Sequence, residues 1–251
     1  MKNFIKHLLY PFRLLLGRFI IIDNKQDSIF YKAGSFISGD KIEGDYFEFG
    51  VYSGTTFASA YHSIMEAYRA SFTPSQWNTD IDCQDRSHLW KKMRFFAFDS
   101  FQGLPKPTGI DRHSSDFSEG KFSNSMENFK NYIHSERVPS ERVEIVPGWF
   151  HETLNQETIN KCGMKKASIV HIDCDLYEST KLVLEFIGPL LVDGAIIIFD
   201  DWFNFKGNPN LGEQKAFTEW LELNPVWTAT QYHKEGTWRN SFIMNKNAVK
   251  I

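Results

Sequence analysis

The sequence predicts a doubly wound α/β fold: a mostly parallel seven-stranded sheet with an antiparallel hairpin at one edge. Two patterns carry this. From residue 45 onward, short apolar runs alternate with helical stretches. The expected strands are 46–49, 95–98, 143–146, 168–172, 195–199, 228–232 and 241–244, and the expected helices are 55–70, 125–135, 151–160, 179–187 and 213–223. Only residues 234–240, with Gly236, separate the last two strands, so those two are expected to pair antiparallel.

Two stretches fall outside the repeating unit, 71–92 and the polar segment 105–121. Both read as insertions over a functional site or at an interface. The second carries Gly109 and Gly120 as hinges and reads as a lid. The first twenty-two residues mix Lys2, Lys6, Arg13 and Arg18 with many apolar side chains, and Pro11 interrupts any single helix. Charge recurs too often for a membrane span, and no small-residue cleavage site follows. The segment suits either peripheral contact with an anionic membrane or packing across the core or between subunits. The expected organisation is an amphipathic extension over 1–43 and one domain over 44–251.

At 251 residues the chain is long enough for a large core. A net charge of -3 with 24% charged residues argues against nucleic acid as a partner. The aromatic content, 16% with 23 Phe, points to core packing, an aromatic-lined cleft or an extensive interface. Cys83, Cys162 and Cys174 form no zinc or redox motif, which suggests a reducing, cytoplasmic setting.

Four aspartates carry the chemistry. Asp173 and Asp175 in His171-Ile-Asp-Cys-Asp-Leu-Tyr177, and Asp200 and Asp201 in Ile197-Ile-Phe-Asp-Asp-Trp202, each follow an apolar run. Buried parallel strands of this kind place their carboxyl ends at the ligand side of an open sheet. Clustered carboxylates repel one another, and an all-oxygen set favours Mg²⁺, Mn²⁺ or Ca²⁺ over zinc. Capping a helix or facing water is the plainer use of some of these acids. His171 lies inside its strand and reads as a core histidine, while His151 and His113 are spare candidates.

A second group precedes them. Glu48-Phe-Gly-Val-Tyr-Ser-Gly54 is a strand, a glycine turn and a helix start, a geometry that lets backbone N–H groups approach a ligand. It lacks the G-x-G-x-x-G spacing of a dinucleotide site. Asp99, at the end of the next strand, is placed either to accept bonds from ribose hydroxyls or to cap a turn. Trp149, after the third strand, could flank an adenine or simply pack.

In combination and order, Glu48-x-Gly50-x-x-x-Gly54, Phe98-Asp-Ser-Phe-Gln-Gly-Leu-Pro105, Gly148-Trp-Phe-His-Glu-Thr-Leu154, Asp173-Cys-Asp-Leu-Tyr-Glu-Ser-Thr180 and Asp200-Asp-Trp202 resemble the macrocin O-methyltransferase family of class I S-adenosylmethionine enzymes. The likeness spans roughly residues 44–245. It implies that Glu48, Gly50, Tyr52, Ser53, Gly54 and Thr55 hold the methionine end of the cofactor, Asp99 with Ser100 its ribose, and Gly148 with Trp149 its adenine, with Asp173 alongside. It implies Asp173, Asp200 and Asp201 as ligands of Mg²⁺ or another divalent cation. Asp175 is implied as the general base, with orientation of the acceptor as its rival role. The acceptor would be a small molecule, a sugar hydroxyl or glycoside, and the protein a homo-oligomer.

The chemistry agrees. An aliphatic hydroxyl does not ionise unaided at neutral pH, and a cation holding adjacent oxygens lowers its pKa and fixes its direction. A metal-dependent phosphoesterase would also use clustered aspartates but would add histidine or lysine for phosphate. A non-catalytic binding module on the same fold would be expected to have lost the acids or the glycine turn.

Overall fold

The computed structural model describes residues 27–75, 78–113 and 117–247. The amphipathic reading of residues 1–22 therefore lies outside the described part. Among the described residues, no helix is long and apolar enough to cross a membrane.

The order of elements is α1 (Ile29–Gly39), β1 (Asp45–Phe49), α2 (Thr55–Ala70), α3 (Asp80–Lys92), β2 (Phe95–Asp99), α4 (Met126–Ser135), β3 (Val143–Pro147), α5 (Phe150–Thr153), α6 (Gln156–Cys162), β4 (Ala167–Ile172), α7 (Tyr177–Ile187), β5 (Leu191–Phe199), α8 (Gly212–Leu223), β6 (Trp227–Glu235) and β7 (Arg239–Lys246). The seven strands form one sheet in the order β3-β2-β1-β4-β5-β7-β6. β1 to β5 run parallel, while β7 pairs antiparallel with both β5 and β6, as the short connection requires. The winding reverses between β1 and β4, the place where open α/β sheets hold their ligands.

Strand periodicity divides the core. Phe47, Phe49, Phe96, Phe98, Val170, Ile172, Ile197 and Phe199 pack on α7 and α8. Their neighbours Tyr46, Phe95, Ala97, Ile169, Ile196 and Ile198 pack on α1, α2 and α4. Successive side chains of a strand point to opposite faces, so both faces are covered and the strands read as continuous apolar runs. Phe47, Phe49, Phe96 and Phe98 are wholly buried, each worth about 1.5–3 kcal/mol of transfer free energy.

Two expectations change. The helix expected over 151–160 is two helices, because Asn155 is extended and its side chain accepts from Thr158 N–H at 2.9 Å, starting α6 afresh. The 71–92 stretch does not cover the cleft; none of its described residues lines it. It forms α3, started by a Thr79/Asp82 capping box, and buttresses α1 and α2. Trp90 packs on Tyr61 and Tyr68, and Arg86 Nε donates to Ser38 O at 3.0 Å.

Candidate active site

A cleft of about 500 Å³ opens at the carboxyl ends of β1, β2, β4 and β5. Its lining includes Gly50, Tyr52, Asp99, Ser100, Trp149, Asp173, Asp175, Asp200 and Asp201, so nine positions from five separate segments converge there.

The glycine turn is held from two sides. Gly50 has φ +88°, and a Cβ there would fall 1.9 Å from the carbonyl oxygen of Asp173, so only glycine fits. Asp99 Oδ2 accepts from Val51 N–H (2.8 Å) and Tyr52 N–H (2.9 Å), and Oδ1 from Phe101 N–H (2.7 Å). Asp99 is thus a turn organiser in its own right, with one acceptor position left for a ligand. The Tyr52 ring, half exposed, faces Phe122 across 6.1 Å at the cleft mouth.

Several residues of the expected cofactor set lie elsewhere. Glu48 is fully buried on the α1/α2 face, because it alternates with Phe47 and Phe49 and shares the side of Tyr46, whose hydroxyl donates to it. Ser53 and Gly54 do not line the cleft; Ser53 Oγ bonds Thr55 Oγ1 at 2.8 Å. Thr55 faces a separate open groove shared with Arg239. Gly148 also lies off the lining, its N–H donating to Asp99 O at 2.9 Å. The His113 side chain lies outside the described part, and His151 is an exposed residue of the cleft wall.

The four aspartates do converge, in two electrostatic settings. Asp200 Oδ1 accepts from Arg239 through Nε at 2.6 Å and through Nη2, and lies 3.3 Å from His171 Nε2. Burial raises its pKa, but these two cations outweigh burial and hold the carboxyl well below the usual range. His171 is the buried counterpart. Burial alone would lower its pKa, yet hydrogen bonding to Asp200 and the charges of Asp200 and Glu48 (Nδ1 to Oε2, 3.8 Å) raise it to about 10. The core histidine expected from sequence therefore lies buried between two acids, and its Nδ1 has no hydrogen-bond partner.

Asp173, Asp175 and Asp201 make no hydrogen bond to a cation among the described residues, and the charges of His171 on Asp173 and of His171 and Arg239 on Asp201 only partly offset their burial. Burial first, then the charge of Asp200, raises Asp173; burial first, then Asp201, raises Asp175. The contact between Asp175 and Asp201 raises the first and lowers the second, and the Asp175 backbone is left-handed at φ +63°, an uncommon state for a residue with a Cβ. Asp201 is braced by Asn204 Nδ2, which donates to its side chain, while its own N–H donates to Glu213 Oε2 at 3.0 Å. Glu213 Oε1 is buried with no partner.

Ligand atoms of His171, Asp173 and Asp200 lie within 4.8 Å of one another, the spacing of a cation site. The group joins His171 to two of the expected ligands, Asp173 and Asp200, and Asp201, the third expected ligand, is not part of it. Its carboxylate oxygens suit a hard divalent cation.

Arg239, Glu213 and Asp111 escaped the sequence reading. Arg239 was open to register counting: Phe199 pairs with Asn240 across the antiparallel ladder, which sets Arg239 opposite Asp200. Nothing in sequence spacing marks the other two.

A sheet of this order, with its cleft at the switch point and acids closing β4 and β5, is the class I methyltransferase type of Rossmann-like fold. The family model for macrocin O-methyltransferase (TylF) matches residues 84–217, and the chain belongs to that family. The 8-demethyl-8-(2,3-dimethoxy-alpha-L-rhamnosyl)-tetracenomycin-C 4'-O-methyltransferase of Streptomyces olivaceus is 29% identical over 123 residues, 47% of this chain and 45% of its own length. Demethyldecarbamoylnovobiocin O-methyltransferase of Streptomyces niveus is 28% identical over 176 residues, 66% of this chain and 55% of its own. The chain thus spans about half the length of these curated relatives. The solved structure of the O-methyltransferase NovP superimposes with a TM-score of 0.67 at 19% identity, over 88% of this chain and 80% of that one, a likeness of fold.

Proposed function

We propose that this protein is a divalent-cation-dependent O-methyltransferase that moves the methyl group of S-adenosylmethionine to a hydroxyl of a sugar or glycosylated small molecule. The observation that carries the reading is one cleft lined both by the Gly50–Tyr52 turn with Asp99 and Trp149 and by four strand-end aspartates. Both curated relatives are named as O-methyltransferases, and the first is named for a rhamnosyl compound, which supports the substrate class.

In this reading Gly50 and Tyr52 present backbone to the methionine end of the cofactor, Asp99 and Ser100 meet the ribose, and Trp149 flanks the adenine. Bound S-adenosylmethionine supplies an electrophilic methyl. Asp173, Asp200 and Asp201 would hold the cation, which would supply Lewis acidity toward the acceptor hydroxyl. Asp175, ionised, would accept the hydroxyl proton, and the cleft walls would orient the acceptor oxygen toward the cofactor. His171 and Arg239 keep Asp200 ionised and turned to the cleft. Cys83, Cys162 and Cys174 are free thiols, which supports a reducing, cytoplasmic setting.

Calorimetric titration with S-adenosylhomocysteine, with and without Mg²⁺, followed by methyl transfer to a panel of nucleotide sugars and glycosides, tests the reading. Micromolar cofactor binding and Mg²⁺-stimulated transfer are expected. A protein that ignores the nucleoside but hydrolyses phosphoesters would refute it.

A further inference from the structure

The segment between β2 and α4 leaves the cleft rim and returns to it. Leu104 N–H donates to Lys121 O at 2.8 Å and Gly120 N–H to Leu104 O at 2.9 Å, which closes the stem. Inside this loop Pro105, Lys106, Thr108 and Asp111 line the cleft, Asp111 at its buried floor, 1% exposed. Its Oδ1 accepts from Tyr177 N–H (2.9 Å) and its Oδ2 from Glu178 N–H (3.2 Å), the first two amides of α7. α7 has no cap of its own, since Leu176 occupies the N-cap position and offers no side-chain bond. A carboxylate 66 residues upstream of Tyr177 does that work instead.

A second contact joins the same parts. Leu104, Phe117 and Leu176 form a small apolar cluster of their own, with Phe205 packed against it. Leu176 directly follows Asp175, and Phe205 lies four residues beyond Asp201. The loop is therefore tied, by charge and by apolar contact, to the turns that carry both acids. The Asp175 turn is short: it is anchored at Asp173, whose N–H donates to Phe49 O at 2.9 Å, and again at the start of α7. A left-handed Asp175 persists only while both anchors hold.

We propose that Asp111 is a positioning residue: by capping α7 from across the chain it holds the 104–113 loop and the Asp175 turn as one unit, and so sets the direction in which Asp175 meets the acceptor. The mechanical part stands on the contacts above. The catalytic part rests on the proposed methyltransferase reading.

Hydrogen exchange on the whole protein without ligands, comparing wild type with Asp111→Ala and Asp111→Asn, tests the mechanical part. In Asp111→Ala the amides of Tyr177 and Glu178 are expected to exchange about five- to tenfold faster, as for a lost cap. Loop residues 104–113 should quicken with them while α8 does not. Asp111→Asn keeps an accepting oxygen and should restore most of the protection. Leu104→Ala, which weakens the apolar cluster without touching the cap, should loosen the same two segments.

In methyl transfer, Asp111→Ala should lower kcat about ten- to hundredfold with the KM for S-adenosylmethionine unchanged, and Asp111→Asn should recover much of it. If the α7 amides loosen while the loop stays protected, or if kcat stays within about twofold of wild type, Asp111 is only a helix cap and the proposal falls. A wild-type protein with no methyl transfer at all would remove the functional reading, and the exchange data would then decide the mechanical coupling alone.

Discussion

Asp200 and Asp175 line one cleft from neighbouring strand ends, yet their surroundings are of opposite sign. Asp200 is met by two cations, Arg239 and His171, whereas Asp175 is met by another acid, Asp201. The negative charge of the first is compensated by the protein itself. That of the second group, with Asp173, is offset only in part by the charges of His171 and Arg239, and burial together with the neighbouring acids still raises all three carboxyls. One half of the site is thus a fixed scaffold, and the other is a set of carboxylates whose ionisation depends on occupancy.

The comparison breaks most visibly on cation removal. Excess EDTA should abolish turnover and Mg²⁺ should restore it, because the partly offset acids then hold their protons. Full activity under chelation, measured by S-adenosylhomocysteine release, would put the cation outside the mechanism. Next in size is Asp175→Asn, which keeps shape but cannot accept a proton: kcat should fall about 10²–10⁴-fold with cofactor affinity nearly unchanged. A higher acceptor KM with near-normal kcat would assign Asp175 to orientation instead.

Arg239→Leu would leave Asp200 with His171 alone as its cationic neighbour. A partly buried carboxylate without its guanidinium should cost about 1–3 kcal/mol in chemical denaturation with EDTA present. Mg²⁺ should recover more stability in this variant than in wild type, and an equal gain in both would argue that Arg239 does not compensate Asp200. The smallest effect is on pH dependence. His171 is raised from 6.5 to about 10, so the folded state holds a proton that the unfolded chain has lost between those values. Its contribution is complete below about pH 6.5 and is lost as pH rises through about 10. Thermal midpoints of the chelated protein should therefore fall over that range, and His171→Gln should flatten the slope.

The parts of the fold that were legible owe it to periodicity. β1, β2, β4 and β5 are buried on both faces and read as apolar runs, whereas β3 is a half-exposed edge strand; each expected strand overlaps an observed one, and the acids that close β4 and β5 stand out by contrast. Proximity to the glycine turn drew Glu48 into the expected cofactor set, whereas the alternation of Tyr46-Phe-Glu-Phe49 puts it on the face of Tyr46 and off the cleft lining. Arg239 required the hairpin register as well as the strands. Asp111 was invisible because its partners are backbone amides at Tyr177 and Glu178, and a trans cap leaves no mark in local spacing. The 151–160 helix failed at Asn155, where a local side-chain bond competes with helix continuation.

Gly50 has a bearing on engineering. Its missing Cβ is filled by the carbonyl of Asp173, 1.9 Å from where that carbon would stand. Any larger residue there would push on the strand end that presents Asp173, so damage at the proposed cofactor turn would be read out as loss at the proposed cation site. Libraries aimed at bulkier sulfonium donors should leave residue 50 untouched. They should instead vary Tyr52, Phe122 and Leu182, which stand 50%, 43% and 36% exposed around the mouth and can change size without moving a strand.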